Sequence, residues 1–223
     1  MKPDSLIILL QPKMLGKEGG IKMGLGEHKV KPLPFAYGAL KGISEQVNKW
    51  HHDTHYAGYV NKRNEIEIGL EKTDKSKANA NYSEFGEMKR REAFNAAGQI
   101  LHEMYWNTLG GNGIAEESLA IAKKIKSDFG SFEKWKEDFI ASTKISLGWT
   151  VLCLDRSDGK LHNFVADSHN QGIWGTVPLL AIDTFEHAYY FDNGPNRAQY
   201  IEAFLKNVDW KKVNMEYEKA AKN

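Results

Sequence analysis

Trp149-Thr150-Val151-Leu152-Cys153-Leu154, the turn Asp155-Arg156-Ser157-Asp158-Gly159-Lys160 and the run Leu161-His162-Asn163-Phe164-Val165-Ala166 form the stretch that decides the fold. Two short runs rich in branched and aromatic residues flank a polar turn containing Asp-Gly, the signature of an antiparallel hairpin. Val177 to Ile182 is a third apolar run of strand length. Upstream, from Ser44 to about Thr143, apolar residues recur at helical spacing. The change of period near residue 149 predicts a helical first part followed by a mixed α+β second part.

Ser44, with Glu45 and Gln46 behind it, starts a helix that runs to about Leu70. Lys72 to Ala80 is polar and turn-like, and Ser83 opens a second helix that ends against Gly110-Gly111-Asn112-Gly113. Ala93, Ala97, Ile100, Leu101 and Met104 lie on one broad stripe of it, so the two helices are expected to pair as an antiparallel hairpin. Shorter helices follow at Glu116–Asp128, Ser131–Thr143, Asn196–Val208 and Lys211–Ala221. Glycines 16, 19, 20, 24 and 26 among lysines give the region before Leu33 the composition of a mobile extension. The expected organisation is an extension over 1–32, a helical hairpin domain over 33–112, and an α+β domain over 113–223 with a small antiparallel sheet of three strands.

Composition narrows the function. The chain has 223 residues, 41% hydrophobic and 26% charged, as in an ordinary globular protein. Lys+Arg 30 against Asp+Glu 29 leaves a net charge of +1, so no global field points to nucleic acid or an anionic membrane. The single cysteine, Cys153, excludes an intramolecular disulfide framework and sits in an apolar run that suits an inert thiol. Leu6 to Leu10 is apolar but too short for a secretory core of roughly 7–15 residues or a spanning helix of roughly 20. Cytoplasmic residence is therefore expected, with processing by an unusual route as the alternative.

Asp183-Thr184-Phe185-Glu186-His187-Ala188-Tyr189-Tyr190 carries the chemistry. An acid at the end of a strand-like run and a histidine four residues later bring two metal-ligand side chains toward one point. His51-His52-Asp53-Thr54-His55 and His102-Glu103-Met104-Tyr105-Trp106 place further histidines on helical sequence. Three neutral imidazoles and a carboxylate suit iron or manganese and leave a position open for a small ligand. Taken alone, Asp-x-x-x-His equally suits a capping aspartate beside a core histidine. His51 and His55 stand one turn apart on the same side, and spacing alone makes both candidate ligands. His52 points away and is expected to be partly exposed.

Phe185 to Tyr190, Gly148-Trp149-Thr150-Val151-Leu152 and His51 to Asn64 together resemble the iron/manganese superoxide dismutase family, in that family's order, from about Leu33 to Trp210. The resemblance implies disproportionation of superoxide at one iron or manganese ion held by His51, His102, Asp183 and His187. It implies a tyrosine at the substrate entrance, Tyr59, and cavity walls at Trp106 and Trp149. Phe185 stands where many members have tryptophan. His55 falls on an outer-sphere histidine that meets a tyrosine, here Tyr190, across a subunit interface. Glu186 falls on the residue that reaches the partner's His187, so a homodimer or tetramer is expected. Arg197 matches an arginine of the entrance funnel, with a helix-starting surface charge as the plain alternative. An entrance lysine of some members falls at Thr54, and Lys62 is its nearest substitute.

Family members also carry a side chain that hydrogen-bonds the solvent on the metal, from either of two places. The helical place is Gly98 here and is empty. The other falls on His169, with Gln171 as the alternative if the loop shifts. His28 and His162 have no counterpart and are expected at the surface. The competing readings are a different mononuclear non-heme iron enzyme and a non-catalytic metal-binding relative. The third histidine and the aromatic cavity oppose the first, and the retained outer shell opposes the second. Iron and manganese, alone or interchangeably, all suit these residues.

Overall fold

The computed structural model describes residues 24–222. Residues 1–23, most of the predicted extension, lie outside the described residues. Ser44 caps α1 (Glu45–Trp50), its hydroxyl accepting from the Val47 amide. The helix continues without a break through a π-helical turn, His51–Tyr56, into α2 (Ala57–Lys72). A π-helical turn carries one extra residue, and such insertions are frequent at functional sites. Helical periodicity predicts the helix but gives no sign of this turn.

α3 (Glu84–Asn107), capped by Ser83, returns antiparallel to α2. Gly98 lets the pair approach closely: a Cβ there would stand 2.9 Å from Cγ of Tyr59. α4 (Ala120–Phe129) and α5 (Phe132–Ile145) follow, joined at Gly130, whose φ of 89° favours glycine. Ser131 caps α5.

β1 (Trp149–Asp155), β2 (Lys160–Ala166) and β3 (Thr176–Asp183) form one antiparallel sheet in the order β2-β1-β3. The turn between β1 and β2 closes at Gly159 with φ 69°, as Asp-Gly predicts. β1 is central and buried on both faces. Its Val151 and Cys153 face α3, and Asn163, across from Leu152, accepts a hydrogen bond from the indole of Trp135 on α5. The register sets Trp149 opposite both Ala166 and Asp183, so the start of β1 and the end of β3 lie side by side at the end nearest the hairpin.

A 3-10 turn (Glu186–Ala188) and α6 (Tyr190–Asn193) precede α7 (Arg197–Asn207), capped by Asn196, and α8 (Trp210–Lys222). One contiguous apolar cluster joins hairpin and sheet, including Val47, Tyr105, Trp149, Leu152, Phe139 and Phe204. The hydroxyl of Tyr200 on α7 donates to that of Tyr105 on α3 at 3.3 Å.

Two expectations for the start of the chain need correction. His28 is not a free surface residue: its Nε2 lies 2.9 Å from Oε1 of Glu67, and its backbone exchanges hydrogen bonds with Asn64. Lys31 follows, its amide donating to the Tyr56 hydroxyl and its ammonium pairing with Glu103. Residues 26–31 thus form a strap along the hairpin, fastened by polar contacts that glycine-and-lysine composition does not reveal. His52 is buried, because its Nε2 meets the Lys31 carbonyl at 2.8 Å and its Nδ1 meets Asp53 at 2.7 Å. The strap covers the face that the helical wheel leaves open.

Candidate metal centre

His51 comes from the first residue of the π-helical turn, His102 from α3, Asp183 from the last residue of β3, and His187 from the 3-10 turn. Their ligand atoms all lie within 4.8 Å of one another. Oδ2 of Asp183 is the centre of the group. Nε2 of His51 stands 3.1 Å from it, Nε2 of His187 3.3 Å and Nε2 of His102 3.4 Å. Two ligands each about 2.1 Å from a single ion stand roughly 3.0–3.5 Å apart, so the spacing fits coordination.

Proton bookkeeping makes the stronger case. Nδ1 of His102 lies 2.6 Å from the Gly98 carbonyl, which only accepts, so Nδ1 carries the hydrogen. Complete burial pushes the pKa of His102 well down, and the ring is neutral. Its Nε2 is then a bare acceptor, buried and without a hydrogen-bond partner, facing a carboxylate oxygen that is also an acceptor. A cation between the two resolves the conflict. Burial alone would raise the pKa of Asp183, but the imidazoles of His187 and His51 beside it outweigh that and lower it. Its other oxygen, Oδ1, accepts from the Phe185 amide at 2.8 Å.

Around the four lies an aromatic wall. Trp106 stands 5.0 Å from His51, Trp149 5.1 Å from His102, and Phe185 stacks on His187 at 5.6 Å and 9°. Tyr59 is 5.1 Å from His102, and burial, then the charge of Asp183, raises its hydroxyl to about 12. His55 is not aimed at Asp183. It stacks on His187 at 4.0 Å and 14°, and burial, then the neighbouring histidines, lowers its pKa to about 4.

His169 and Gln171 part company. His169 is buried, with its ring 4.6 Å from Tyr59 and 5.7 Å from His102. The indole of Trp149 donates to its Nδ1 at 2.8 Å, and since an indole nitrogen only donates, the hydrogen of the neutral imidazole sits on Nε2. Gln171 is exposed and its Oε1 accepts from the Asp167 amide. The helical place at Gly98 is covered by Tyr59. Phe94, which sequence reading passes over, packs 4.6 Å from His169 and 5.9 Å from Tyr59. Only its place one turn before Gly98 on α3 hints at it.

Arg197, at the start of α7, has its donors engaged. Its guanidinium donates to the carbonyls of Ser146 at 2.7 Å and Thr184 at 3.5 Å, and it lies 5.4 Å from the Tyr189 ring. Lys62 pairs with Glu65, which offsets its charge locally. Glu186 is exposed and Tyr190 half-exposed, beside a concave surface shared by Trp50, His55, His187 and Phe191. His162 is accounted for by the hairpin: it pairs with Asp158 at 2.9 Å, while Asp158 and Asp155 cap amides of their own turn.

The alpha-hairpin domain model of the iron/manganese superoxide dismutases matches residues 27–110, and the C-terminal domain model of the same proteins matches residues 116–216. The chain is 39% identical over 200 residues to "Superoxide dismutase [Mn] 1" of Halobacterium salinarum, covering 88% of this chain and 98% of that one. It is 42% identical over 203 residues to "Superoxide dismutase [Fe]" of Aquifex aeolicus, covering 89% and 95%. Relatives named for each of the two metals thus stand at similar distances.

Proposed function

Because this chain belongs to the iron/manganese superoxide dismutase family, we propose a task for each side chain around its metal centre. The protein disproportionates superoxide to dioxygen and hydrogen peroxide at a mononuclear iron or manganese centre with three histidines and one aspartate. The carrying observation is the bare Nε2 of His102 turned toward Oδ2 of Asp183. When bound, iron or manganese supplies a one-electron couple between the two half-reactions.

His51, His102 and His187 give neutral nitrogens, and Asp183 gives the one negative charge, which favours the more oxidised ion. Tyr59 keeps its proton at neutral pH and holds a hydroxyl donor beside the cavity. Tyr59 and His55 relay protons for peroxide release. His169 presents Nε2–H as an outer-sphere donor and tunes the potential. Arg197 contributes a fixed positive charge that favours approach of a small anion.

Glu186, Tyr190 and His55 form the contact surface of a homodimer or tetramer, with Glu186 of one chain meeting the partner's His187. Two exposed aromatic rings beside this surface, Trp50 and Phe191, support that reading. Among the described residues no helix is long and apolar enough to cross a membrane. Cytoplasmic residence belongs to the same proposal; a lone, buried, free cysteine suits a reducing compartment.

Alanine at His51, His102, Asp183 or His187 is expected to remove most bound metal and nearly all dismutation. A variant that keeps full metal and full turnover removes its residue from the ligand set. Glu186→Ala is expected to weaken self-association in sedimentation, and an unchanged oligomer with normal metal content refutes the contact.

A further inference from the structure

His169 is caged. Tyr59 and Phe94 each lie 4.6 Å from its ring, Phe185 lies 4.8 Å away, and Trp149 fixes its tautomer through Nδ1. Phe185 differs from the other walls because it lies almost parallel against His187, so one ring touches both the loop histidine and a ligand. Its tip has little room: a Cβ added at Gly148 would come within 3.1 Å of its Cζ. A longer ring at 185 must therefore turn toward His169 or out to solvent. A shorter aliphatic chain leaves the imidazole without support on that side.

We infer that Phe185 is a positioning residue for His169, setting by its size and ring plane where the Nε2–H donor stands relative to the metal. The inference rests on the reading above in which His169 tunes the potential. Phe185 itself bonds nothing at the centre; it acts through the imidazole it packs against. Close-packed neighbours of this kind couple measurably when one is altered.

The test is a mutant cycle on protein loaded separately with iron and with manganese. Phe185→Leu and Phe185→Trp are each made in the native chain and in His169→Ala, and metal content, reduction potential and dismutation are measured. In the native background both variants are expected to retain metal, shift the potential, and change the ratio of iron- to manganese-supported activity by about threefold or more. In the His169→Ala background those shifts are expected to vanish. Equal shifts in both backgrounds mean that Phe185 acts on His187 directly, which overturns the inference, as does the absence of any shift. Loss of metal from both variants likewise assigns Phe185 to His187 alone and overturns it. If His169→Ala leaves the potential unchanged, the tuning role of His169 falls first, which is a separate failure.

Discussion

The hairpin and the sheet domain each deliver two ligands, but they are built from different material. On α2 only Val60, Ile66 and Leu70 are buried, and on α3 the buried set includes Asn95, Gln99 and His102. The sheet domain instead buries Trp135, Phe139, Trp149, Leu152 and Phe204 almost completely. Apolar burial contributes about 25 cal/mol per Å², and most of the largest fully buried side chains lie in the second half, with Tyr56 and Tyr105 the main share of the hairpin. The hairpin therefore draws much of its order from what it docks against, the sheet and the strap. The half with the larger apolar core supplies the anionic ligand together with one histidine, and the half with the smaller core supplies two neutral nitrogens.

The largest expected effect separates the two cores. Trp135→Ala is expected to cost about 3–5 kcal/mol in denaturant unfolding, and Leu70→Ala about 2–3 kcal/mol. Equal losses would erase the contrast. Next comes the ion. Chelating the metal is expected to speed amide hydrogen exchange around His51 and His102 by about tenfold, or about 1.4 kcal/mol, while the β1 amides change less. A uniform change over both halves would show that the hairpin does not depend on the ion more than the sheet does.

Helix caps give a smaller and more even effect. Ser83→Ala in the hairpin and Ser131→Ala beyond it each remove an acceptor for an orphan amide, and each is expected to cost about 1 kcal/mol in thermal unfolding. A markedly larger loss at Ser83 would sharpen the contrast, since its neighbours have less packing to fall back on.

The smallest effect concerns the strap. Burial alone would raise the pKa of Glu67, but hydrogen bonds from the Gly26 amide, Arg63 and His28 outweigh it and lower it. A lowered carboxylate stabilises the fold above its unfolded pKa, and that contribution is lost as pH falls through the folded value. As pH falls below about 4.5, residues 26–31 should therefore lose exchange protection before the sheet does. Simultaneous loss would show that the strap is not a separate unit.

Much of this was legible in the residues. Ser44, Ser83, Ser131 and Asn196 mark four helix starts because a side-chain oxygen at that place satisfies an amide that the helix leaves unpaired. Asp-Gly closes the hairpin because glycine accepts φ 69° there. The four converging side chains were nameable through family resemblance, whereas spacing left His51 and His55 equivalent. What separates them in space is the π-helical turn and the stacking of His55 on His187, neither of which has a local sequence code. The tautomers of His102 and His169 were out of reach for a similar reason. Each is set by one partner distant in sequence or on another turn, the Trp149 indole and the Gly98 carbonyl. The burial of His52 depends on the strap, whose contacts lie 21 or more positions away along the chain.

His51 and Asp183 meet across 132 positions of sequence. At a synthesis rate of about 5–20 residues per second, those 132 positions take about 7–26 s to make. For that interval the nascent chain holds ligand histidines but not the ligand carboxylate. The complete set of four ligands thus exists only once the last fifth of the polypeptide arrives. An ion that meets the histidines earlier must still be competitive when the carboxylate closes over it.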